Sequence, residues 1–512
     1  TTHAHTHTHT HMSFFGDVHR LLLLLPRQRR VTSACEKTYS TRSLLRERLR
    51  VLDEERAQVQ ALLDSDDQLG TQGKPRALAE ENKQRPETAP LSGVRVLDLS
   101  RVLAGPHATQ LLSDLGADVI KVERPALGDD TRHWGPPFAE LSDHSLQAAY
   151  FRSANRGKRS ITVNLQHERG QELLRRLAGK CDVVVENYRV GALARFGLDH
   201  HTMRTLHPHL VYCSITGFGQ TGPRSSQAGY DAAVQALGGL MSITGEPDLV
   251  KDSFDSEPTD HSAGAGAGAG GGQPTKVGVA VADLFTSTYA AIAILAALRR
   301  RDHHGLGAYI DLALFDCQLS MLANQALNCL TTGVSPSRLG NSHPNIVPYT
   351  TFPTADGHLM LCVGSDLQWR RFCEAACCPP ELADDARFAS NASRVAYRHL
   401  LMPLLERLLV ARPTSQWIDV ALRAGVPAAP VNTVQQALSD VQAVHRRMVV
   451  DTPDGGGTLL GNPIKMPGVL SDPPPSYRQA PPQLSQHTDE VLSSMLDFSP
   501  ADIAALHRDG VV

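Results

Sequence analysis

Asp283 is the acidic residue whose sequence context best suits chemistry. It directly follows the apolar run 277–282 and precedes a long, mostly apolar segment, 284–301, that has the composition of a helix. We therefore predict that Asp283 is the N-cap of this helix, where free backbone N–H groups and the helix dipole hold a carboxylate ionised. A carboxylate nucleophile needs the same ionised and presented geometry. On spacing alone, a structural cap and a nucleophile both stay open.

Two arginines follow predicted strands at places where they could bind phosphate. Arg124 lies just after the strand 117–122, and Arg195 lies shortly after Asn187 and Tyr188. Guanidinium groups bind phosphate through paired hydrogen bonds. A single arginine of this kind is more typical of a solvated surface charge. Two of them at strand ends favour a phosphorylated ribose, such as that of coenzyme A.

The elements that must position these residues form a repeated strand–helix pattern. A strand, a Gly-Pro turn, a helix and a second strand within about thirty residues predict a βαβ unit and a parallel sheet. We predict an α/β fold, with a doubly wound, Rossmann-like large domain and a smaller α+β domain. Ligands of such sheets bind beyond the carboxyl ends of the strands. The turn 100–106 lacks the G-x-G-x-x-G fingerprint, so NAD in its usual pose is not expected.

Changes in composition divide the chain into four parts. Between Met12 and Arg50 there are nine basic and three acidic residues, which is typical of an organelle transit peptide, with a disordered basic tail as the alternative. The predicted parts are a start, transit peptide and linker over 1–90, a large domain over 91–315 with a flexible Gly/Ala insertion at 250–275, linker helices and a small domain over 316–431, and a return to the large domain over 432–512.

The overall composition argues against several classes of protein. Fifty basic and fifty-three acidic residues give a net charge of −3, so neither nucleic acid nor an anionic membrane is expected as a partner. The longest aliphatic run, Leu21 to Leu25, is far shorter than the ~20 residues that span a bilayer. Cys373, Cys377 and Cys378 lie together without His or Asp at metal-ligand spacing, so we expect core cysteines and no metal.

Several motifs, in order, resemble the family III CoA-transferases. They are the segments 97–106, 114–123, 128–132, 185–188, 229–231 and 282–283, and the similarity extends over 91–512. The resemblance implies an interlocked homodimer, no permanently bound cofactor and a CoA thioester as substrate. It is strongest to the members that use dicarboxylates, which implies transfer of CoA between succinyl-CoA and glutarate in the mitochondrial matrix. The Arg-rich segment agrees independently with that location.

The resemblance also implies roles for individual residues. It makes Asp283 the nucleophile, which attacks the thioester, forms a mixed anhydride and then becomes an aspartyl-CoA thioester. The implied CoA contacts are Leu103, Ala104, Arg124, Val163, Asn164, Leu165, Asn187, Tyr188 and Arg195. The free end of a dicarboxylate needs a cation, for which Arg156 is the first candidate, followed by Arg338 and His343.

Two alternative functions stay open at this point. An α-methylacyl-CoA racemase carries His as a proton carrier where this chain has Tyr230, and tyrosine is a poor substitute. A CoA-binding protein without turnover would need no nucleophile, so the presence of Asp283 in its motif argues against it.

Overall fold

The computed structural model of the chain describes residues 89–247, 272–470 and 474–512. The predicted transit peptide, nearly all of the linker that follows it, and most of the predicted insertion at 250–275 lie outside these residues.

A six-stranded parallel sheet forms the framework of the candidate site. Its strands are β1 (Arg95–Asp98), β2 (Asp118–Glu123), β5 (Lys158–Thr162), β6 (Val183–Glu186), β7 (Val211–Thr216) and β8 (Tyr309–Ala313). They lie in the order β5-β2-β1-β6-β7-β8, and every neighbouring pair is parallel. The predicted parallel α/β sheet is confirmed. The strand order reverses between β1 and β6, and a crevice for ligands forms at such a switch point.

Seventeen α-helices accompany the sheets in the described residues. They are α1 (Ala104–Asp114), α2 (Ala149–Ser153), α3 (Glu168–Ala178), α4 (His200–Leu206), α5 (Asp231–Leu237), α6 (Val281–His304), α7 (Leu314–Met321), α8 (Ala323–Thr332), α9 (Asp366–Ala376), α10 (Pro380–Ala383), α11 (Asn391–Ala396), α12 (Arg398–Leu409), α13 (Thr414–Arg423), α14 (Val434–Leu438), α15 (Val441–His445), α16 (Thr488–Leu496) and α17 (Pro500–Arg508).

Helices cover both faces of the parallel sheet. Val96 and Val183 point to the face on which α1 and α6 pack, whereas Leu97 and Val184 point to the face on which α3, α16 and α17 pack. Both faces of the sheet are therefore buried from solvent, which explains why the strands are almost continuously apolar. Helix α6 is long and apolar enough to cross a membrane, but it packs against α1, β7 and β8, with Ile294 fully buried.

A smaller antiparallel sheet has a hydrophobic core of its own. It contains β9 (Tyr349–Pro353), β10 (His358–Cys362) and β11 (Ala428–Pro430), and its core includes two fully buried tryptophans, Trp369 and Trp417. The predicted β9–β10 hairpin is confirmed. The predicted domain boundaries at 315 and 431 stay a prediction.

Three local features differ from the sequence-based expectations. The helix predicted from Cys317 is two helices, α7 and α8, which meet where Ala323 has a φ of 45°. Two short hairpins were not predicted, namely β3 (Phe138–Glu140) with β4 (Leu146–Ala148) and β12 (Val449–Asp451) with β13 (Thr458–Leu460). Their strands have three residues each, too few for a detectable alternation of apolar and polar residues.

Candidate active site

A cavity opens at the carboxyl edge of the parallel sheet, where the strand order reverses. Its walls are the loop 101–104 after β1, the loop 187–190 after β6, residues 215–217 at the end of β7 and the turn 227–230 before α5. Asp283, in the first turn of α6, also lines it. The nucleophile predicted from sequence therefore lies where ligands of such sheets bind.

The predicted N-cap role of Asp283 is wrong. The N-cap of α6 is Ala280, and Asp283 is the third residue of the helix. The free N–H groups of the first turn are instead met by Asp231, whose Oδ1 accepts from the backbone N of Ala282 at 2.8 Å and of Asp283 at 3.4 Å. The second oxygen of Asp231 accepts from Gln235 Nε2 at 2.7 Å. One carboxylate thus caps the helix for the other.

This arrangement leaves Asp283 with an unusual ionisation equilibrium. No group in the described parts of the chain donates a hydrogen bond to its carboxylate, which faces the cavity. Burial, and secondly the charge of Asp231, raise the pKa of Asp283 to about 7. A carboxylate without donors is basic and reactive, because nothing stabilises its charge. The expectation that N–H groups hold Asp283 ionised is therefore replaced by a carboxyl poised near neutrality.

The loop after β1 is held by a buried ion pair. Val102 has a φ of 71°, a left-handed conformation that is strained for a β-branched residue. Its N–H donates to both oxygens of Asp129, at 3.2 and 3.3 Å. Asp129 also accepts from Lys121 Nζ at 2.8 Å, and the same ammonium donates to the carbonyl of Ser100 at 3.0 Å. The side chains of Lys121 and Asp129 are fully buried, so a buried ion pair fixes the loop to the sheet.

A second buried pair supports the start of the same loop. Asp98 accepts from the Ser100 N–H at 3.0 Å and from Lys158 Nζ at 3.0 Å. Burial alone would raise the pKa of Asp98, but Lys158 and Lys121 lower it. Burial lowers the pKa of Lys158 to about 8. Each ion pair therefore affects the ionisation of the other, and both pairs hold the loop after β1 in place.

Two glycines that line the cavity, Gly217 and Gly229, allow two backbone segments to pack against each other. A Cβ on Gly217 would lie 2.7 Å from the Cα of Gly229, and a Cβ on Gly229 would lie 2.6 Å from the Cα of Gly217. The end of β7 and the turn before α5 can cross at this distance only without side chains.

Four of the predicted CoA contacts lie in the cavity wall together with Asp283. They are Leu103, Ala104, Asn187 and Tyr188. Asn187 also joins two walls, because its side-chain amide donates to the carbonyl of Arg101 at 2.6 Å and accepts from the N–H of Arg101 at 3.0 Å.

The other predicted CoA contacts are not part of the cavity wall. Arg124 is half-exposed and donates to Asp130 at 2.8 Å. Arg195 is exposed, with its guanidinium 4.5 Å from the centre of the Phe196 ring. Val163, Asn164 and Leu165 follow β5, where the Asn164 backbone N–H donates to the carbonyl of Val511.

The structure contradicts Arg156 as the cation for a dicarboxylate. Its guanidinium is buried and binds Asp114, with Nε 3.0 Å from Oδ1 and a second contact to Oδ2. The remaining nitrogen donates to the carbonyl of Leu460 at 2.8 Å. Arg156 does not line the cavity next to Asp283. All three nitrogens thus bind protein oxygens, and we correct the role of Arg156 to a structural ion pair.

Arg338 and His343 also lie outside the cavity wall. Arg338 donates to the carbonyl of Glu246 at 3.3 Å and to that of Gly272 at 2.8 Å, on either side of segment 248–271 in the chain. His343 Nδ1 accepts from the N–H of Asn345 at 3.0 Å, and its ring packs 5.3 Å from that of Tyr349. In this structure both side chains hold loops and do not line the wall next to Asp283.

Three residues of the site were missed by sequence reasoning. Arg101 lines the cavity and binds Asp130 at 2.7 Å, so that Asp130 joins Arg101 and Arg124. Asp231 belongs to the motif 229–231, but no pattern in the sequence predicts that its carboxylate caps helix α6. Tyr150 lies outside the cavity wall but near enough that, after burial, the charges of Asp283 and Asp231 raise the pKa of its phenol.

Comparisons with known proteins agree on one family. Residues 91–488 match the sequence profile of CoA-transferase family III. A succinate–glutarate CoA-transferase of Agrobacterium fabrum is 45% identical over 412 residues, which is 79% of this chain and 96% of that protein. A succinyl-CoA:glutarate CoA-transferase of Mus musculus is 39% identical over 432 residues, which is 83% of this chain and 90% of that protein.

A solved structure gives the same result. The crystal structure of a CAIB/BAIF family protein from Brucella suis superposes with a TM-score of 0.67 at 43% sequence identity. The match covers 80% of this chain and all of that one.

We predict that Asp283 titrates near neutrality, because burial and secondly the charge of Asp231 raise its pKa. In carbon-13 NMR spectra of protein labelled at aspartate carboxyl carbons, the signal absent from Asp283→Asn should titrate with a midpoint of about 7. Asp231→Asn removes the neighbouring charge and should shift this midpoint to lower pH. Asp489→Asn, at an exposed residue paired with His507, serves as the control and should leave it unchanged. A midpoint near 4 in the wild-type protein would contradict the prediction.

Proposed function

The chain belongs to CoA-transferase family III, and from this premise we propose that it moves CoA from succinyl-CoA to glutarate, giving glutaryl-CoA and succinate. The names of the two relatives at 45% and 39% identity support these substrates. The CoA thioester is a substrate, and the proposed reaction requires no permanently bound cofactor.

The observation that carries the proposal is the environment of Asp283. Its carboxylate faces the cavity at the strand switch point, without a hydrogen-bond donor from the described residues and with a pKa of about 7. A structural acid would be paired, as the buried Asp98, Asp114 and Asp129 are. An unpaired, basic carboxylate beside the wall predicted to bind CoA is what nucleophilic attack on a thioester requires.

The chemistry proceeds by two exchanges at the Asp283 carboxyl. The ionised carboxylate attacks the succinyl thioester, which forms an aspartyl–succinyl anhydride and releases CoA thiolate. The thiolate then attacks the aspartyl carbonyl, which forms an aspartyl-CoA thioester and releases succinate. Glutarate reverses both steps and leaves as glutaryl-CoA. The thioester bond energy is conserved throughout, because no intermediate is hydrolysed.

Two exposed arginines beside the cavity suit the phosphates of CoA. Arg101 and Arg124 both bind Asp130, and about half of each side chain is exposed. A phosphate could displace Asp130 from either guanidinium, because surface ion pairs are weak. We propose this pair, together with Arg195, as the anion site for CoA.

We also propose that the enzyme is a homodimer in the mitochondrial matrix. The helices α14 and α15 bury no residue in the single chain, and Val434 and Val441 are 77% and 83% exposed. Leu330 of α8 is 80% exposed. Exposed apolar side chains that lie together mark surfaces for protein–protein contact. The location rests on the Arg-rich segment between Met12 and Arg50.

Substrate exchange tests the proposed reaction. With radiolabelled succinyl-CoA and a panel of acceptors, the purified full chain should transfer CoA to glutarate with a higher kcat/KM than to acetate or butyrate. The second carboxylate of glutarate is the reason, since a charge-assisted hydrogen bond contributes about 1.5–3 kcal/mol. Equal rates with monocarboxylates would reject a dicarboxylate enzyme.

The covalent role of Asp283 has a separate test. Incubation with succinyl-CoA alone should give an adduct that hydroxylamine cleaves and that mass spectrometry assigns to the peptide containing Asp283. Asp283→Asn should keep the fold, because Asp231 caps the helix. It should lower kcat by about four orders of magnitude or more while still binding CoA. A folded Asn variant with a tenth of the wild-type rate would exclude the covalent mechanism.

The dimer prediction concerns the exposed valines. Val434→Asp combined with Val441→Asp should convert a dimer of the full chain into monomers in sedimentation experiments, because a buried charge in an interface is costly. Leu206→Asp, at an exposed leucine at the end of α4, is the control and should remain dimeric. A wild-type protein that sediments as a monomer would contradict the proposal.

A further inference from the structure

Glu186 is the last residue of β6, and its carboxyl accepts a hydrogen bond from the loop that leads into the cavity wall. The side chain is 6% exposed, and its Oε2 accepts from the backbone N–H of Tyr188 at 2.8 Å. The intervening residue, Asn187, makes the two hydrogen bonds to the main chain of Arg101. Glu186 and Asn187 together therefore join the wall formed after β6 to the wall formed after β1.

Glu186 differs from the other buried acids. Five carboxylates are buried in the described parts of the chain, and four of them have a cation within 3.0 Å: Asp98 with Lys158, Asp114 with Arg156, Glu123 with Arg132 and Asp129 with Lys121. Glu186 has no lysine, arginine or histidine at that distance in the same residues.

A buried carboxyl without a cationic partner is costly even with the hydrogen bonds that it accepts from the Ser214 hydroxyl and the Tyr188 N–H, so stability does not explain its presence. Burial raises the pKa of Glu186 to about 7, and Asp311, two strands away across Ser214, adds to the effect. A residue chosen for stability alone at this place would be apolar or neutral. The one directional contact that Glu186 makes to a cavity wall is the hydrogen bond to Tyr188 N.

We propose that Glu186 is a positioning residue for CoA, which holds Asn187 and Tyr188 in the cavity wall before the substrate arrives. The inference rests on the proposed function, since it concerns the same cavity. Without the acceptor, the loop 187–190 must be ordered during binding, and the lost conformational entropy weakens the affinity for CoA. Once CoA is bound the wall is complete, so the chemical step at Asp283 is unaffected.

The test separates binding from turnover in the purified full chain. Calorimetry gives the Kd for CoA itself, and steady-state kinetics give kcat and KM for succinyl-CoA. Glu186→Ala should weaken CoA binding by about tenfold or more and raise KM in parallel, while kcat at saturation stays within about threefold. Glu186→Gln keeps an acceptor for Tyr188 N and should restore binding to within about threefold of wild type.

Asp199→Ala is the matched control. Asp199 lines a second cavity together with Glu186, but its carboxylate caps α4 through the N–H groups of His201 and Thr202 at 3.0 and 3.1 Å. Its loss should lower the midpoint of unfolding in denaturant, because the cap of α4 is lost, and leave the Kd for CoA unchanged.

Several results would overturn the inference. They are wild-type affinity for CoA in Glu186→Ala, a Gln variant as weak as the Ala variant, or a loss of kcat with an unchanged KM. If Glu186→Ala does not fold, Glu186→Asp takes its place. Its side chain is one methylene shorter, so the carboxylate no longer reaches the N–H of Tyr188, and we expect the same loss of affinity for CoA. A wild-type protein that does not bind CoA overturns the proposed function as well.

Discussion

The active site depends on acidic side chains that accept backbone N–H groups where the chain leaves the sheet. Asp98 accepts from Ser100 and Glu186 accepts from Tyr188, in both cases two residues further along the chain. An N–H group beyond the end of a strand has lost its ladder partner, so a carboxylate at the strand end satisfies it and fixes the turn. Asp231 does the same for the first turn of α6 from another helix.

Burying Asp98 and Asp129 below the loop after β1 requires compensation, which two lysines supply. Lys121 and Lys158 are fully buried below the loop after β1 and neutralise the acids that anchor it. The resulting rigidity lets Val102 keep a left-handed conformation, which costs about 1–3 kcal/mol and persists only where the surroundings fix it. Gly105 contributes too, since a Cβ there would lie 2.3 Å from the side chain of Ser100. The wall beside Asp283 is therefore formed before any ligand binds.

The two acids at the start of α6 have opposite roles that depend on each other. Asp231 takes the backbone N–H groups and the side chain of Gln235, so its charge is well solvated by the protein. Asp283 has none of these donors, and burial, followed by the charge of Asp231, raises its pKa. A carboxylate in the position of Asp283 is more basic as a result, because the N–H groups that would stabilise its charge donate to Asp231 instead.

The sequence by itself determined the parallel α/β sheet, the position of Asp283 at the start of a long helix, and the place of Asn187 and Tyr188 at a strand end. These features depend on periodicity and turn residues within short segments, which are local properties. Tertiary structure alone decided which charges are partners. Arg156 lies 42 residues from Asp114 and 304 from Leu460 in the chain, yet it binds both. Sequence shows that a charge exists, whereas its pKa and its role depend on distances through space and on burial.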